Sequence, residues 1–138
     1  MKKVNLLNFG AELKNHVIED IQQEHDIDVE QYIIKASLNL KKRSTYIQVH
    51  DLIEKYYDMF FDKDYFIINL PGLPIFSAFL ITEIHSLTGR FPIVVECIKD
   101  YSNDGIFTDY KFKRLYDLDR ERTQSRENFK NNKGHPEE

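Results

Sequence analysis

Six consecutive residues, Tyr65-Phe66-Ile67-Ile68-Asn69-Leu70, constrain this chain more than any other segment. They form an apolar run with charge before it and Pro71-Gly72 after it, the pattern of a strand covered on both faces. Such a strand belongs to a sheet flanked by helices, and its parallel neighbours need crossover connections. Related signals recur along the chain. Lys3 to Asn8 reads as a short strand ended by Phe9-Gly10, and Ala11 to Glu24 shows helical spacing at Leu13, Val17, Ile18 and Ile21. After a break at Asp26-Ile27-Asp28, Val29 to Leu40 contains a strand centred on Tyr32 to Leu38. Ser44 is placed to cap a helix running through Tyr57 to Phe61. Pro74 suits the first turn of a helix from Ile75 to about Leu87, and Gly89 its C-terminal stop. Phe91 to Ile98 is the fourth strand, and Thr108 to Leu118 alternates well enough for a fifth, at the sheet edge. The expected fold is therefore α/β with a mainly parallel sheet of four to five strands over residues 1–118, followed by a charged C-terminal helix and flexible tail over residues 119–138.

Composition narrows the partners. With 41% apolar and 30% charged residues in 138, the chain can bury a core and is not a disordered polyelectrolyte. No apolar run reaches the roughly 18 residues of a membrane span, and the first residues lack a cleavage site, so no membrane partner and a cytoplasmic location are expected. The net charge of −4, from 23 acids and 19 bases, argues against wrapping a long nucleic acid. The one cysteine, Cys97, lies in an apolar run and reads as a core residue, excluding an internal disulfide and a many-thiolate zinc site. Neither histidine-pair metal spacings nor glycine-rich phosphate cradles occur, so no metal and no cofactor are expected. Glu83 and His85 fall on different helix faces, His16, His25, His50 and His135 are isolated, and catalytic residues stay unassigned.

In open parallel sheets ligands bind outside the carboxyl ends of the strands. The residues there are Asn8-Phe9-Gly10, Asn39 with Lys41-Lys42-Arg43, Asn69-Leu70-Pro71-Gly72-Leu73, and Lys99-Asp100. Glu24, Asp26, Asp28, Asp62 and Asp64 precede strands, so the far edge is acidic and the ligand edge richer in base and amide. That polarity favours an anion at the strand ends. Asn8 and Asn69 each end a central strand with a glycine close behind, which suits a ligand held by exposed backbone N–H groups; turn chemistry alone accounts for the same residues.

The segments Val4-Asn5-Leu6-Leu7-Asn8-Phe9-Gly10, Ile68-Asn69-Leu70-Pro71-Gly72-Leu73 running on to Glu83-Ile84-His85, and Thr88-Gly89-Arg90-Phe91-Pro92 resemble the small stand-alone CRISPR-associated accessory proteins of type III systems. These carry a Rossmann-like domain akin to the cyclic-oligoadenylate-sensing domains, and the likeness covers residues 3–98. The resemblance implies a three-layer, Rossmann-like ligand-binding domain over residues 1–118 and a homodimer or larger assembly with a cyclic oligoadenylate, cyclic tetra-adenylate foremost, bound at the strand-end edge. It implies sequestration that damps antiviral signalling, or slow metal-independent ring opening by attack of a 2′-OH on its own 3′-phosphate. Gly10-Ala11 stand where related first loops are more polar, which removes a hydroxyl or imidazole and favours binding over cleavage. The ligand set expected on this reading is Asn8, Phe9, Gly10, Asn39, Lys41 and Asn69 to Leu73, with Lys41 to Arg43 reaching phosphates from the rim. An alternative of another class is a non-catalytic scaffold whose Arg120 to Lys130 helix docks on a protein.

Overall fold

Alternation along the inner strands sets the architecture. The computed structural model describes residues 1–131. In it, β1 (Lys2–Asn8) and β3 (Tyr65–Asn69) pair in parallel within a five-stranded sheet. The strand order is β2-β1-β3-β4-β5, where β2 is Ile27–Ile33, β4 Ile93–Tyr101 and β5 Phe107–Asp117. Successive residues of a strand face opposite sides. Leu6, Ile67 and Val95 accordingly join one hydrophobic cluster, and Leu7, Ile68 and Val94 the other. Helix α1 (Asn15–His25) closes the first cluster with Val17 and Ile21. Helices α2 (Thr45–Lys55) and α3 (Pro74–Thr88) close the second with Val49, Ile53, Phe76, Leu80 and Ile84. Both faces of β1 and β3 are thus covered, which is why Leu6-Leu7 in β1 and Tyr65 to Ile68 in β3 are apolar runs.

The sheet is mixed, which corrects the expectation of a mainly parallel one. β1 pairs in parallel with β2 and β3, and β3 with β4, but β5 returns antiparallel to β4. Only Ser102 to Ile106 join β4 to β5, too short a link for a crossover, so a hairpin is the one connection available. The second strand also differs from the sequence reading. Asp26 adopts a left-handed conformation (φ 52°) and closes α1 through its N–H to Gln22 O, letting β2 start at the next residue. β2 stops at Ile33 because its partner stops opposite, at Asn8. The Ser44 helix ends at Lys55 and is followed by a 3-10 turn, Tyr57–Phe60.

Helix α4 (Leu118–Lys130) follows β5 directly, with the Asp117 carboxylate accepting from the N–H groups of Asp119 and Arg120. It is tied to the segment before β4: Leu118 N–H donates to Pro92 O at 3.1 Å, and Phe91 N–H to the Asp119 carboxylate at 3.3 Å. Most of the expected tail, with His135, lies outside the described residues. No helix among those described is long and apolar enough to cross a membrane.

One ion pair between α2 and α3 escaped the sequence reading. His50 Nδ1 lies 2.9 Å from Oε2 of the buried Glu83. The hydrogen bond to Glu83 holds the imidazole above its ordinary value near 6.5, against a smaller opposing effect of burial. A histidine raised on folding adds stability below its unfolded pKa and loses it as pH rises through the folded one. The His50→Gln variant should therefore lose more melting temperature relative to wild type at about pH 5.5 than at about pH 8.5, checked by thermal denaturation at both.

Candidate functional site

The principal crevice opens where two strands part. β3 and β4 pair only at Ile67–Ile93 and Ile68–Val94, after which β3 ends and β4 runs on to Tyr101 through a register shift at Glu96/Cys97. The gap, bounded by the loop after β1, the loop after β3, the first turn of α1 and the β4–β5 hairpin, holds a cavity of about 670 Å³. It sits at the carboxyl ends of β1 and β3. The chain leaves β1 toward β2 on one side and has β3 on the other, and at such reversals of strand order open α/β sheets bind ligands.

The floor is built from amides. Asn8 is 0% exposed. Its Oδ1 accepts from Gly10 N–H at 2.8 Å and from Asn69 Nδ2 at 2.9 Å, while its Nδ2 donates to Ala11 O and to Gln31 Oε1, each at 2.8 Å. Gln31, on β2, in turn accepts from Leu13 N–H at 3.0 Å and donates to Leu13 O at 2.9 Å. The loop after β1 is therefore fastened to three strands. Gly10 is required by closeness rather than by its dihedrals: a Cβ there would stand 2.6 Å from Leu70 O. Gly72 is different, since a Cβ would meet nothing within 4 Å and its φ is not positive.

Of the residues expected to bind ligand, Gly10, Asn69, Leu70 and Gly72 line the cavity. Asn8 lies beneath it, with its hydrogen-bonding capacity filled from within the chain. Phe9 packs edge-on against Phe76 in the core, at 6.2 Å between ring centres. Pro71 O accepts from Ser77 Oγ at 3.0 Å, and Leu73 is the exposed N-cap of α3; neither lines the cavity. Asn39 and Lys41 belong to a separate turn, where Asn39 Oδ1 accepts from the N–H groups of Lys41 and Lys42 and Gln48 clasps the Asn39 backbone. Arg43 pairs with Asp51 at 3.0 Å. That basic turn contributes nothing to the cavity wall.

The sequence reading missed the opposite wall: Glu96 and Cys97 from β4, and Phe107, Asp109 and Tyr110 from β5. The link length between the strands carried the signal, because a hairpin after β4 must turn at the ligand edge. Two polar ties bind this wall to α1: Lys14 Nζ to Asp109 Oδ2 at 2.9 Å, and His16 Nε2 beside Tyr110 O at 3.0 Å. The hydrogen bond from Lys14, with help from Tyr110 N–H, holds the Asp109 carboxyl below the usual carboxylate value. Cys97 is half-buried, and burial followed by the Glu96 carboxylate pushes its thiol up, keeping it protonated and a poor nucleophile.

Charge and helix ends complete the geometry. Glu12 and Asp109 line the cavity against one cation, Lys14, so it is acidic; the Glu96 carboxylate instead accepts from the Tyr116 hydroxyl at 3.0 Å, on the other face of the sheet. The helices starting beside it, α1 and α3, have no side-chain cap, whereas α2 and α4, starting elsewhere, are capped by Ser44 and Asp117. At α1 the N–H groups of Asn15 and His16 have no partner among the described residues. No protein-family model and no curated protein matches this chain.

Gly10→Ala should lose about 1–3 kcal/mol of stability through the forced shift of the Leu70 backbone, whereas Gly72→Ala should change it by less than about 0.5 kcal/mol. Urea denaturation of the two variants checks the contrast.

Proposed function

We propose that this chain is a Rossmann-like, three-layer ligand-binding domain whose crevice takes part of a cyclic oligoadenylate and thereby lowers the free messenger of a type III CRISPR response. The observation that carries the reading is the position of the cavity: about 670 Å³ at the reversal of strand order, within the usual size of small-ligand sites. The three-layer description is supported by the two hydrophobic clusters on opposite sides of the sheet. The family is supported by the sequence resemblance alone.

The charge pattern decides how such a ligand would lie. Phosphate groups inside the cavity would face Glu12 and Asp109, so the base enters and the phosphate stays outside. The start of α1 serves it there, with the unbonded N–H groups of Asn15 and His16 and the exposed Lys14 ammonium. A ring with several adenylates leaves the others for a second copy of the chain, which is the supporting argument for a homodimer or larger assembly.

Equilibrium dialysis with labelled cyclic tetra-adenylate tests the reading. Retention of the intact ring at micromolar protein is expected, and a linear product would identify the ring-opening alternative. Absence of retention at about 100 μM protein overturns both and leaves the scaffold. Gly72→Val, whose side chain enters open space at the cavity wall, should weaken retention about tenfold or more while leaving the melting temperature nearly unchanged.

A further inference from the structure

We infer that the β4–β5 hairpin is a hinged wall that opens and closes the crevice, bending at the register shift between Glu96 and Cys97 and latched to α1 by Lys14 and Asp109. Such a wall moves in the protein alone, whatever the crevice binds.

Support for the hairpin ends where β3 ends. Ile93 and Val94 pair with β3 on one side and β5 on the other, but from Val95 onward β4 has β5 as its only strand neighbour. A two-stranded ribbon is marginally stable by itself in water. The core stops at the same level. Val94 and Val95 are buried, Cys97 and Phe112 still pack against a hydrophobic cluster, and none of residues 98–111 is buried. The register shift at Glu96/Cys97 falls on this boundary, and an irregularity of that kind interrupts the ladder and lets a strand bend. Hinges are short segments of this sort, where a change of direction is absorbed at the limit of a packed element.

Beyond the hinge the hairpin holds itself together. The rings of Tyr101 and Phe107 lie 6.2 Å apart and those of Phe107 and Tyr110 5.3 Å, while Thr108 Oγ1 donates to Asp100 O at 3.2 Å. Lys111 Nζ stands 3.6 Å from the Asp100 carboxylate. These contacts are internal and travel with the hairpin. Its polar contacts to the body, among the described residues, are Lys14 Nζ to Asp109 Oδ2 at 2.9 Å and His16 Nε2 beside Tyr110 O at 3.0 Å. Both join it to the start of α1. The side chains of the ion pair are 68% and 31% exposed, so water and salt reach it, and a pair of this kind shifts an equilibrium by a factor of about two to five. Once the latch parts, the hairpin swings while the floor stays in place, because Asn8 ties that floor to β2 and β3. Phe107, Thr108, Asp109 and Tyr110 line the cavity, so the swing changes its width.

The chain carries its own reporter. Cys97 is the one cysteine, half-buried at the hinge and on the cavity wall, where a bulky reagent reaches it only when the hairpin swings out. The full-length protein without ligand is labelled with N-(1-pyrenyl)maleimide, a neutral reagent, at fixed pH. Labelling should be at least about tenfold slower than in the urea-unfolded chain, yet unchanged by the first ~1 M urea, because a local opening exposes little new surface. Lys14→Met should label about two- to fivefold faster with its melting temperature nearly unchanged, and Lys14→Arg should return the rate to that of wild type. Loss of the nearby cation would itself disfavour the thiolate and slow the reaction, so acceleration reports the latch. Sodium chloride at about 1 M should speed the wild type by a similar factor and Lys14→Met hardly at all. A wild-type rate equal to that of the unfolded chain, a rate that climbs with urea from the outset, or a Lys14→Met rate equal to wild type overturns the inference. Retention of cyclic tetra-adenylate is measured separately, so the ligand reading can fail while the hinged wall stands, and the reverse.

Discussion

The side chain of Asn8 is the fastening on which the candidate site depends. A primary amide has two acceptor positions and two donors, and this one fills all four from within the chain, in full burial. Its partners come from the loop it begins, from β2 through Gln31 and from β3 through Asn69. Because a buried amide network is favourable only when complete, those partners are fixed together or not at all. The loop after β1 thus becomes an extension of the sheet. Its path in turn brings Gly10 against the Leu70 backbone, so close that no side chain fits, and this contact joins the two strand-end loops into one floor.

A firm floor beside a parted pair of strands makes a crevice without a ligand having to shape it. β3 and β4 separate after two paired positions, and the hairpin that follows supplies the far wall. Two ties, one ionic and one to a backbone carbonyl, hold the wall to α1. Surface ion pairs are weak, of the order of 1 kcal/mol or less, so this wall is fixed far less firmly than the floor. The asymmetry is physical: the floor is built into the sheet, and the far wall is held by contacts that solvent can reach.

Those elements of the fold that local chemistry dictates were legible in the sequence. Ser44 caps α2, Gly89 ends α3 in the left-handed conformation at φ 77°, and the apolar run at 65–70 is a covered strand. What depends on a partner was not. The run from Tyr32 to Leu38 has the composition of a strand, yet it leaves the sheet after Ile33 because β1 offers nothing beyond Asn8. Asp26 conceals the start of β2 by taking a backbone conformation that glycine or asparagine usually advertises. At the site, Asn8 and Asn69 stood out as polar residues ending apolar strands, but their spacing cannot say that they bond each other rather than a ligand. Lys41 suffered the opposite error, since a basic residue after a strand is near the ligand edge in sequence while its own turn folds onto Gln48.

Charge divides this edge into two parts. The crevice places Glu12 and Asp109 around one lysine, so an anionic group would gain nothing by entering. Lys14 then stands at the boundary, since its ammonium is 2.9 Å from Asp109 and its residue is also the N-cap of α1, where the free N–H groups of Asn15 and His16 begin. One ammonium cannot neutralise both a phosphate and Asp109 at close range. A phosphate placed at the helix start would compete for Lys14 and so weaken one of the two ties that hold the hairpin wall, which couples the charge at this edge to the position of the wall.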